Sequence, residues 1–418
     1  MGDASGSIAV VGAGLAGLRS CQGLRARGFD GRLTLIGEEP HLPYDRPPLS
    51  KQFLAGDWGA DRVMLDPPDK IDALGLDLRL GPDCRAVNLD LGSRRVGLAG
   101  GEEVGFDGLV LATGSSARLL PGISGVANVH VLRTLDDAER LRAALQPGRR
   151  LGLAGAGFIG LEVAATARKL GVNVTIVEPL DVPLGRALGP VAGGACERMH
   201  REEGVLFHLQ KTIDSVAERA GSLECRLSDG TVLEFDALLV GVGAAPSLDW
   251  LAGSGLTAGP GGIEVDRHLL ARPGVAVAGD VARWPLPAAS GVAPEYVRVE
   301  HRTNAAEQGD HAAASLLADL GWASSAASSE AAELPSYSVP YVWSDQFAVK
   351  IQVLGLPRPD DEVTVVEGSP SERRFVALHA RDGLLSAAVG FSRPRHVMTL
   401  RPLLERHATI GEATALFG

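Results

Sequence analysis

The chain has 418 residues, more than a single hydrophobic core usually organises, so we expect two or three domains. Its apolar fraction of 45% and charged fraction of 22% are ordinary for a globular protein. The net charge of −11 argues against a nucleic-acid-binding protein, which normally carries a basic surface.

The sequence also lacks signals of membrane insertion and secretion. No apolar run reaches the roughly 18–20 residues that a membrane span needs, and the N-terminus MGDASGS has no basic segment of a signal peptide. The cysteines Cys21, Cys84, Cys196 and Cys225 stand at neither CxxC nor CxxxxC spacing, which predicts no metal site and no disulfide framework. We therefore expect a soluble, cytoplasmic protein that binds neither nucleic acid nor membranes.

The first predicted element is a short buried strand that runs into a glycine-rich turn, SIAVVGAGLAG. Gly12, Gly14 and Gly17 fit GxGxxG, a helical pattern follows, and a second strand at 32–39 carries Glu38. The glycines of such a unit permit the tight turn and the close approach of a pyrophosphate, and the acid accepts a hydrogen bond from a ribose hydroxyl. Together these features predict a dinucleotide site.

A proline-rich loop follows, LPYDRPPLSK at 42–51, and it ends at Lys51, one of only five lysines in the chain. Proline fixes φ and removes a backbone donor, so this loop is stiff and can neither continue a helix nor pair within a central strand. The loop raises the question of why a lysine is held so rigidly.

The dinucleotide pattern recurs in RRLGLAGAGFIGLEVAATARKLGVNVTIVEP. Gly155, Gly157 and Gly160 form the second GxGxxG, and a helix, a strand and Glu178 follow it. Two complete units predict two dinucleotides, one in each domain. The carboxylate of Glu178 would repel the 2′-phosphate of NADPH, which calls for a nearby arginine, whereas Arg186 is eight residues further on. The pattern favours NADH.

Two further predicted strands end in short sequence motifs. The strand in FDGLVLATGS ends in Ala112-Thr113-Gly114, and the strand in PGVAVAGDVAR ends in Gly279-Asp280. With the two GxGxxG units, they resemble the pyridine-nucleotide–disulfide reductase superfamily of flavoproteins. The resemblance implies a glutathione-reductase-like α/β fold, with two Rossmann-like dinucleotide-binding domains and a smaller C-terminal α+β domain. It implies FAD in the first unit, with the aspartate on the ribityl chain, and NADH in the second.

Disulfide reductases carry CxxxxC after the first fingerprint, but EEPHLPYDRPPLSKQFL has no cysteine. This segment resembles instead the ferredoxin reductases that serve oxygenase systems, as do VLRTLDDAERLR, GAGFIGLEVAATARKLG, VEHRTNAAEQG and VPYVWSDQF. The resemblance covers essentially the whole chain. It implies an FAD domain in two parts, 1–115 and 246–322, an NADH domain at 116–245, and a C-terminal domain at 323–418, whose first residues belong to the linker GWASSAASSEAAELPSYS at 321–338.

The resemblance assigns residues to both cofactors by position. Those implied for FAD are Gly12, Gly14, Leu15, Ala16, Gly17, Glu38, Arg46, Pro47, Lys51, Cys84, Ala112, Thr113, Gly114, Arg133, Gly279, Asp280, Glu300, His301, Arg302 and Trp343. Those implied for NADH are Gly155, Gly157, Phe158, Ile159, Gly160, Glu178, Arg186 and Gly243.

The resemblance also gives the lysine of the proline loop a partner. Glu162 lies one turn into the second helix, on the side that faces the flavin in this family. We therefore predict a catalytic ion pair of Lys51 and Glu162 between the two domains, beside the flavin N5 where hydride arrives. Such a pair persists away from water only if both charges are held, because losing one leaves the other uncompensated.

Arg302 departs from the family, which has tryptophan or valine at this position. Either the cation lies at the pyrimidine side of the flavin and favours its reduced, anionic form, or it points to solvent. The spacing of Asn304 and Glu307 matches a capping box and predicts that the following helix begins at Asn304.

The implied reaction is hydride transfer from NADH to FAD, followed by single-electron transfers to a small iron–sulfur ferredoxin, usually 2Fe–2S, that feeds a haem monooxygenase or a ring-hydroxylating dioxygenase. Three alternatives stay open: a reductase of rubredoxin or another acceptor, a flavoprotein resembling apoptosis-inducing factor that acts by binding, and a nucleotide-binding scaffold without turnover. The acidic charge counts against the second. The presence of Lys51, Glu178 and Asp280 counts against the third.

Overall fold

The structure is a computed structural model that describes residues 6–123, 125–219, 221–286, 295–323 and 339–418. Residues 324–338, most of the predicted linker, lie outside the described residues. The described helices are α1 Leu15–Ala26, α2 Pro68–Asp72, α3 Leu135–Ala144, α4 Phe158–Lys169, α5 Gly185–Glu202, α6 Arg302–Asp319, α7 Pro394–Thr399, α8 Arg401–Glu405 and α9 Ile410–Thr414.

The described strands stand singly or in longer runs between these helices. They are β1 Ser7–Val11, β2 Arg32–Gly37, β3 Asp77–Leu80, β4 Ala86–Asp90, β5 Arg95–Leu98, β6 Glu103–Gly105, β7 Gly108–Leu111, β8 Ser115–Ala117, β9 Val129–His130, β10 Arg150–Ala154, β11 Asn173–Glu178, β12 Leu206–Leu209, β13 Ile213–Arg219, β14 Ser222–Leu227, β15 Val232–Phe235, β16 Ala237–Val240, β17 Ala244–Pro246, β18 Ala258–Gly259, β19 Gly262–Glu264, β20 Leu270–Arg272, β21 Val275–Val277, β22 Ala282–Pro285, β23 Tyr296–Val297, β24 Tyr341–Gln346, β25 Val349–Gly355, β26 Glu362–Ser369, β27 Arg374–Arg381 and β28 Leu384–Phe391.

The chain divides into two compact units. The first unit contains Met1–Asp45, Met64–Ser116 and Ala245–Ser338, and the second contains Arg46–Val63, Ala117–Ala244 and Val339–Gly418, both taken over the described residues. The proline-rich segment that ends at Lys51 therefore belongs to the second unit. The domain boundaries implied by the resemblance stay predictions.

The first unit is built on a six-stranded sheet in the order β20-β21-β7-β1-β2-β3. β1 pairs in parallel with both β2 and β7, and its residues from Ile8 to Val11 are buried. A run of consecutive apolar residues is expected for a parallel strand that is covered on both faces. Helices α1 and α6 pack closely because α6 carries Gly309, where an added Cβ would lie 2.4 Å from the carbonyl oxygen of Ala16.

The second unit contains a parallel five-stranded sheet, β12-β11-β10-β16-β9, with α4 as the connection from β10 to β11. It also contains the antiparallel sheet β24-β25-β28-β27-β26, which α7, α8 and α9 follow. Phe375 and Phe391 stack in this sheet with ring centroids 4.5 Å apart, and both are fully buried. The C-terminal α+β architecture matches the expectation from the sequence.

Helix α6 begins two residues earlier than the capping-box spacing predicts. Its N-cap is His301, in an extended conformation, and Arg302 is its first residue. The side chain of Asn304 is buried inside the first turn, where its Nδ2 donates to the carbonyl oxygen of Val299 at 3.0 Å. The prediction of a start at Asn304 was wrong, because Asn304 and Glu307 both lie inside the helix and do not cap it.

Among the residues that the structure describes, no helix is long and apolar enough to cross a membrane.

Candidate functional site

In the first unit, four adjacent parallel strands place their carboxyl ends at one edge of the sheet. Gly12 follows β1, Glu38 follows β2, Ala112 follows β7, and Gly279 lies two residues after β21. This edge is where open α/β sheets bind their ligands. The structure therefore brings together four groups that the sequence identified separately.

The glycines of the first turn fall into two kinds. Gly12 has φ +116°, and an added Cβ would lie 2.1 Å from the carbonyl oxygen of Ala112, while a Cβ on Gly17 would lie 1.9 Å from that of Gly12. These two are required by the fold itself. Gly14 has φ −95°, and an added Cβ would meet nothing within 4 Å. The open space beside Gly14, at the N-terminus of α1, fits a pyrophosphate.

Asp280, the aspartate of the GD motif, lies among polar groups of the first unit. Its carboxylate accepts from Ser115 Oγ at 3.1 Å, and its carbonyl oxygen accepts from Arg298. Burial lowers the pKa of His301 to about 4, although Asp280 raises it, so this imidazole is neutral at pH 7. The Nδ1 of His301 is buried without a hydrogen-bond partner among the described residues. Because such atoms are rarely left unpaired, this group fits a bound polar ligand such as FAD.

Arg302 has a partner that the sequence did not indicate. Its Nε contacts Asp45 Oδ1 at 2.7 Å and Oδ2 at 2.9 Å, with the two side chains 33% and 25% exposed. A neighbouring carboxylate offsets most of the field of the cation. Arg302 is thus a paired, partly exposed charge within the first unit, and its position relative to the flavin stays a prediction.

The other residues implied for FAD are divided between the units. In the first unit, Ala112, Thr113 and Gly114 follow β7, and the turn from Gly12 to Gly17, with Leu15 and Ala16, connects β1 to α1. Glu38 is exposed, and Cys84 ends a short turn before β4. Glu300 is paired with Arg298. In the second unit lie Arg46, Pro47, Lys51, Arg133 and Trp343; Arg46 donates to the carbonyl oxygen of Arg133, and Trp343 stacks on Tyr341 at 5.9 Å. Their binding of FAD stays a prediction.

The second glycine turn repeats the geometry of the first. Gly155 has φ +97°, and an added Cβ would lie 2.5 Å from the carbonyl oxygen of Gly241. A Cβ on Gly160 would lie 2.6 Å from the carbonyl oxygen of Gly155. At Gly157, the N-cap of α4, an added Cβ would meet nothing within 4 Å. The open glycine again stands where a pyrophosphate would approach the helix N-terminus.

Glu178 ends β11 and is directed back to this turn. Its Oε2 accepts from the backbone N–H of Ala156 at 2.6 Å, and its Oε1 accepts from that of Leu180 at 3.0 Å. The carboxylate is thus held beside the glycine turn, as the ribose-binding acid of a dinucleotide unit must be. The remaining positions implied for NADH are exposed or half-buried on the same unit: Phe158, Ile159, Arg186 and Gly243.

The predicted ion pair of Lys51 and Glu162 is present. Lys51 Nζ lies 2.9 Å from Glu162 Oε1, and the two side chains are only 12% and 7% exposed. Both residues belong to the second unit. Lys51 ends the turn Pro47–Ser50, and this turn is fixed to α4 by Thr166, whose Oγ1 donates to the carbonyl oxygen of Ser50 at 2.8 Å. The stiff loop therefore holds the lysine against the carboxylate.

The carboxylate of Glu162 has two further partners that were not predicted from the sequence. Ser50 Oγ donates to Glu162 Oε2, and Ser344 Oγ donates to Oε1 at 2.7 Å. Ser50 is next to Lys51 in the sequence, so its proximity was a signal that could have been used. Ser344 lies in VPYVWSDQF, the segment in which the resemblance implied a role only for Trp343.

The described thiols do not form a redox centre. All four cysteines are free, and burial raises the pKa of Cys21 to about 12 and that of Cys225 to about 11, and raises that of Cys196 further. Only Cys84 is half-buried. No group of histidine, cysteine and carboxylate side chains that could hold a metal ion occurs among the described residues.

We expect alkylation with iodoacetamide at neutral pH to modify Cys84 at most and to leave NADH-dependent reduction of an acceptor unchanged. The physical reason is that only the thiolate reacts, and buried thiols with raised pKa values do not form it. Peptide mass spectrometry and steady-state rates check this outcome. Loss of activity in step with modification of Cys21, Cys196 or Cys225 would contradict it.

Two dinucleotide turns, each followed by an acid, and a buried lysine–glutamate pair in place of a redox disulfide define a two-nucleotide flavoprotein reductase. A family model for pyridine nucleotide-disulphide oxidoreductases matches residues 6–309, and a reductase C-terminal model matches residues 341–416. The chain belongs to the pyridine nucleotide-disulphide oxidoreductase family. This confirms the expected fold class and the expected cofactors, FAD and NADH.

The chain is similar along its length to ferredoxin reductases. It is 36% identical to rhodocoxin reductase of Rhodococcus erythropolis, over 95% of this chain and 89% of that protein. It is also 36% identical to the ferredoxin–NAD(+) reductase component of the anthranilate 1,2-dioxygenase system of Burkholderia cepacia, over 94% of this chain and 93% of that protein. The reductase in a covalent putidaredoxin reductase–putidaredoxin complex superposes with a TM-score of 0.87 at 30% identity, covering 97% of this chain and 94% of that one.

Proposed function

We propose that this chain oxidises NADH and passes the electrons, one at a time, to a small 2Fe–2S ferredoxin that serves an oxygenase. The observation that carries the proposal lies after the first glycine turn. There the chain has Lys51 paired with Glu162, and no cysteine stands between Glu38 and Leu54. Without a dithiol in this segment, electrons leave directly to an external acceptor.

The residues of each unit fit the two cofactors. When bound, FAD accepts two electrons from NADH and releases them singly, which is the chemistry that a ferredoxin requires. The chain supplies binding and electrostatics: open space beside Gly14 and Gly157 for the two pyrophosphates, and carboxylates at Glu38, Glu178 and Asp280 for hydroxyl groups.

Lys51 and Glu162 are proposed to act at the hydride-transfer step. A fixed ammonium group in a site with little water stabilises negative charge that develops near it. Glu162 holds the ammonium in place, and the Pro47–Ser50 turn limits the freedom of the chain that carries it. A lysine on a mobile loop would have to be ordered during each turnover, at a cost in entropy.

Anaerobic mixing of the purified holoprotein with NADH or NADPH tests the proposal. We expect a flavin spectrum that NADH bleaches faster than NADPH, and rapid reoxidation by a bacterial 2Fe–2S ferredoxin. Absence of flavin, or of bleaching by either nucleotide, would overturn the proposal. Faster reoxidation by a rubredoxin than by a panel of 2Fe–2S ferredoxins would support the rubredoxin alternative instead.

The preference for NADH is expected to weaken when the charge of Glu178 is removed. Glu178→Gln keeps an oxygen that can accept from Ala156 N–H but removes the repulsion of a 2′-phosphate. The ratio of kcat/KM for NADH to that for NADPH should fall about tenfold. Glu224→Gln, at a half-buried position on β14, is the control and should keep the wild-type ratio. An unchanged ratio in Glu178→Gln would show that this carboxylate does not select the nucleotide.

We propose a cytoplasmic location, on the grounds that all four cysteines are free thiols and that disulfides are rare in that compartment.

A further inference from the structure

The carboxylate of Glu162 accepts hydrogen bonds from three side chains. Its Oε1 accepts from Lys51 Nζ at 2.9 Å and from Ser344 Oγ at 2.7 Å, and its Oε2 accepts from Ser50 Oγ. Lys51 and Ser50 are neighbours in the sequence, whereas Ser344 comes from β24, 182 residues after Glu162. One oxygen therefore joins the lysine to a hydroxyl of the C-terminal sheet.

Ser344 is itself held by two further side chains. Gln346 Nε2 donates to Ser344 Oγ at 3.1 Å, and Gln346 Oε1 lies 3.0 Å from His200 Nε2. Ser344 and Gln346 are two residues apart on β24, so their side chains share one face of the strand. Ser344, Gln346 and His200 are all completely buried, and His200 contacts the rings of Phe207 and Phe347. These groups are therefore not exposed to bulk solvent.

The directions of these hydrogen bonds follow from the donors available. The single proton of Ser344 goes to Glu162, so the hydroxyl must accept from the amide nitrogen of Gln346. The amide oxygen of Gln346 then faces His200, whose Nε2 must carry a proton. Burial lowers the pKa of His200 to about 4, so this ring is neutral with one N–H. Each side chain therefore donates to the next one: His200 to Gln346, Gln346 to Ser344, and Ser344 to Glu162.

We propose that Ser344 is a positioning residue for Lys51 that acts through Glu162, and that Gln346 and His200 fix the direction of its hydroxyl. The proposal rests on the proposed function of this chain. A lysine side chain has a flexible four-carbon stem, so the position of its ammonium group depends on a fixed carboxylate. Without Ser344, Lys51 is the remaining side-chain donor to Oε1, and Ser50 alone fixes the carboxylate through Oε2, so the ammonium group is held less firmly.

The test uses Ser344→Ala in the holoprotein, alone and combined with Lys51→Met. We expect the rate constant of flavin reduction at saturating NADH to fall about three- to tenfold, with the Kd for NADH and the FAD content unchanged. In the Lys51→Met background the same substitution should cause no further slowing, because it acts through that lysine. Acetylation of Lys51 by acetic anhydride, followed by mass spectrometry against the exposed Lys70, should be faster in Ser344→Ala.

Ser386→Ala is the matched control. Ser386 also lies in the C-terminal sheet and donates to a buried carboxylate, that of Asp361, at 2.9 Å, and this carboxylate is also paired with a cation, Arg381. The control should keep the wild-type rate of flavin reduction and the wild-type acetylation of Lys51.

The possible failures can be told apart. An unchanged rate and unchanged acetylation in Ser344→Ala would overturn the inference, as would equal slowing in both backgrounds, which would mark a merely structural role. A wild-type rate in Lys51→Met would overturn the inference together with the role of Lys51. A wild-type protein that NADH does not reduce would overturn the proposed function itself.

Discussion

Lys51→Met is expected to slow flavin reduction by NADH about 10- to 100-fold while FAD stays bound. Methionine keeps most of the volume and apolar stem of lysine but removes the ammonium group that contacts Glu162 at 2.9 Å. The stabilisation lost is that of a fixed charge in a site with little water, where a charge-assisted hydrogen bond is stronger than at the surface. Anaerobic stopped-flow absorbance at saturating NADH measures this rate constant.

The same substitution is expected to lower stability. It leaves the carboxylate of Glu162, with a side chain only 7% exposed, without its cation. Removing one partner of a buried pair costs about 3–5 kcal/mol, and the donors Ser50 and Ser344 offset part of this loss. We expect the unfolding temperature to fall by about 2–5 °C, which differential scanning calorimetry measures.

Lys350→Met is the matched control for both effects. Lys350 also pairs with a carboxylate, that of Asp345, at 3.3 Å, but the two side chains are 48% and 35% exposed. Exposed pairs contribute about 0–1 kcal/mol, so the rate and the unfolding temperature should stay near wild type. A Lys51→Met protein that NADH reduces at the wild-type rate would refute the proposed role of the lysine.

Gly157→Ala is expected to raise the Kd for NADH at least about tenfold with little loss of stability. Gly157 has φ −77°, which any residue adopts, and an added Cβ would meet nothing within 4 Å. The methyl group therefore meets no atom in the free protein, and alanine at this N-cap costs at most about 1 kcal/mol. The methyl group would stand where the pyrophosphate must approach the N-terminus of α4, so the larger cost arises on binding. Fluorescence titration measures the Kd for NADH, and differential scanning calorimetry measures the unfolding temperature.

Two other glycines of the second unit provide the comparison. At Gly160 an added Cβ would lie 2.6 Å from the carbonyl oxygen of Gly155, so Gly160→Ala should lower the unfolding temperature. At Gly194, within α5, an added Cβ meets nothing within 4 Å, and alanine should be neutral or slightly stabilising because it favours the helix. A wild-type Kd in Gly157→Ala would show that no pyrophosphate lies against this turn.

The glycine turns were predictable because their chemistry is local. Gly12 and Gly155 require positive φ, and Gly17 and Gly160 require close approach to a carbonyl oxygen five residues earlier. These demands are expressed within one strand–turn–helix unit, so spacing alone reveals them. The acid Glu178 is likewise found by counting, because the carboxyl ends of neighbouring parallel strands meet at one edge.

The capping of α6 and the pairing of Arg302 show where local patterns fail. The capping-box spacing of Asn304 and Glu307 matched a rule that any helix can satisfy by chance, and the true N-cap is His301. Arg302 was expected either at the pyrimidine side of the flavin or directed to solvent, and its pairing with Asp45, 257 residues earlier in the chain, was not anticipated. A contact between residues so far apart in the sequence leaves no periodic pattern from which it could be predicted.

The sequence by itself determined the two dinucleotide units, the missing redox disulfide and, through family resemblance, the pair of Lys51 and Glu162. Each rests on residues whose spacing is fixed by a local turn or by a recognised segment. Only the tertiary structure decided what surrounds that pair. Ser344 reaches Glu162 across 182 residues, because strand β24 packs against α4 and side-chain hydrogen bonds between distant segments depend on that packing.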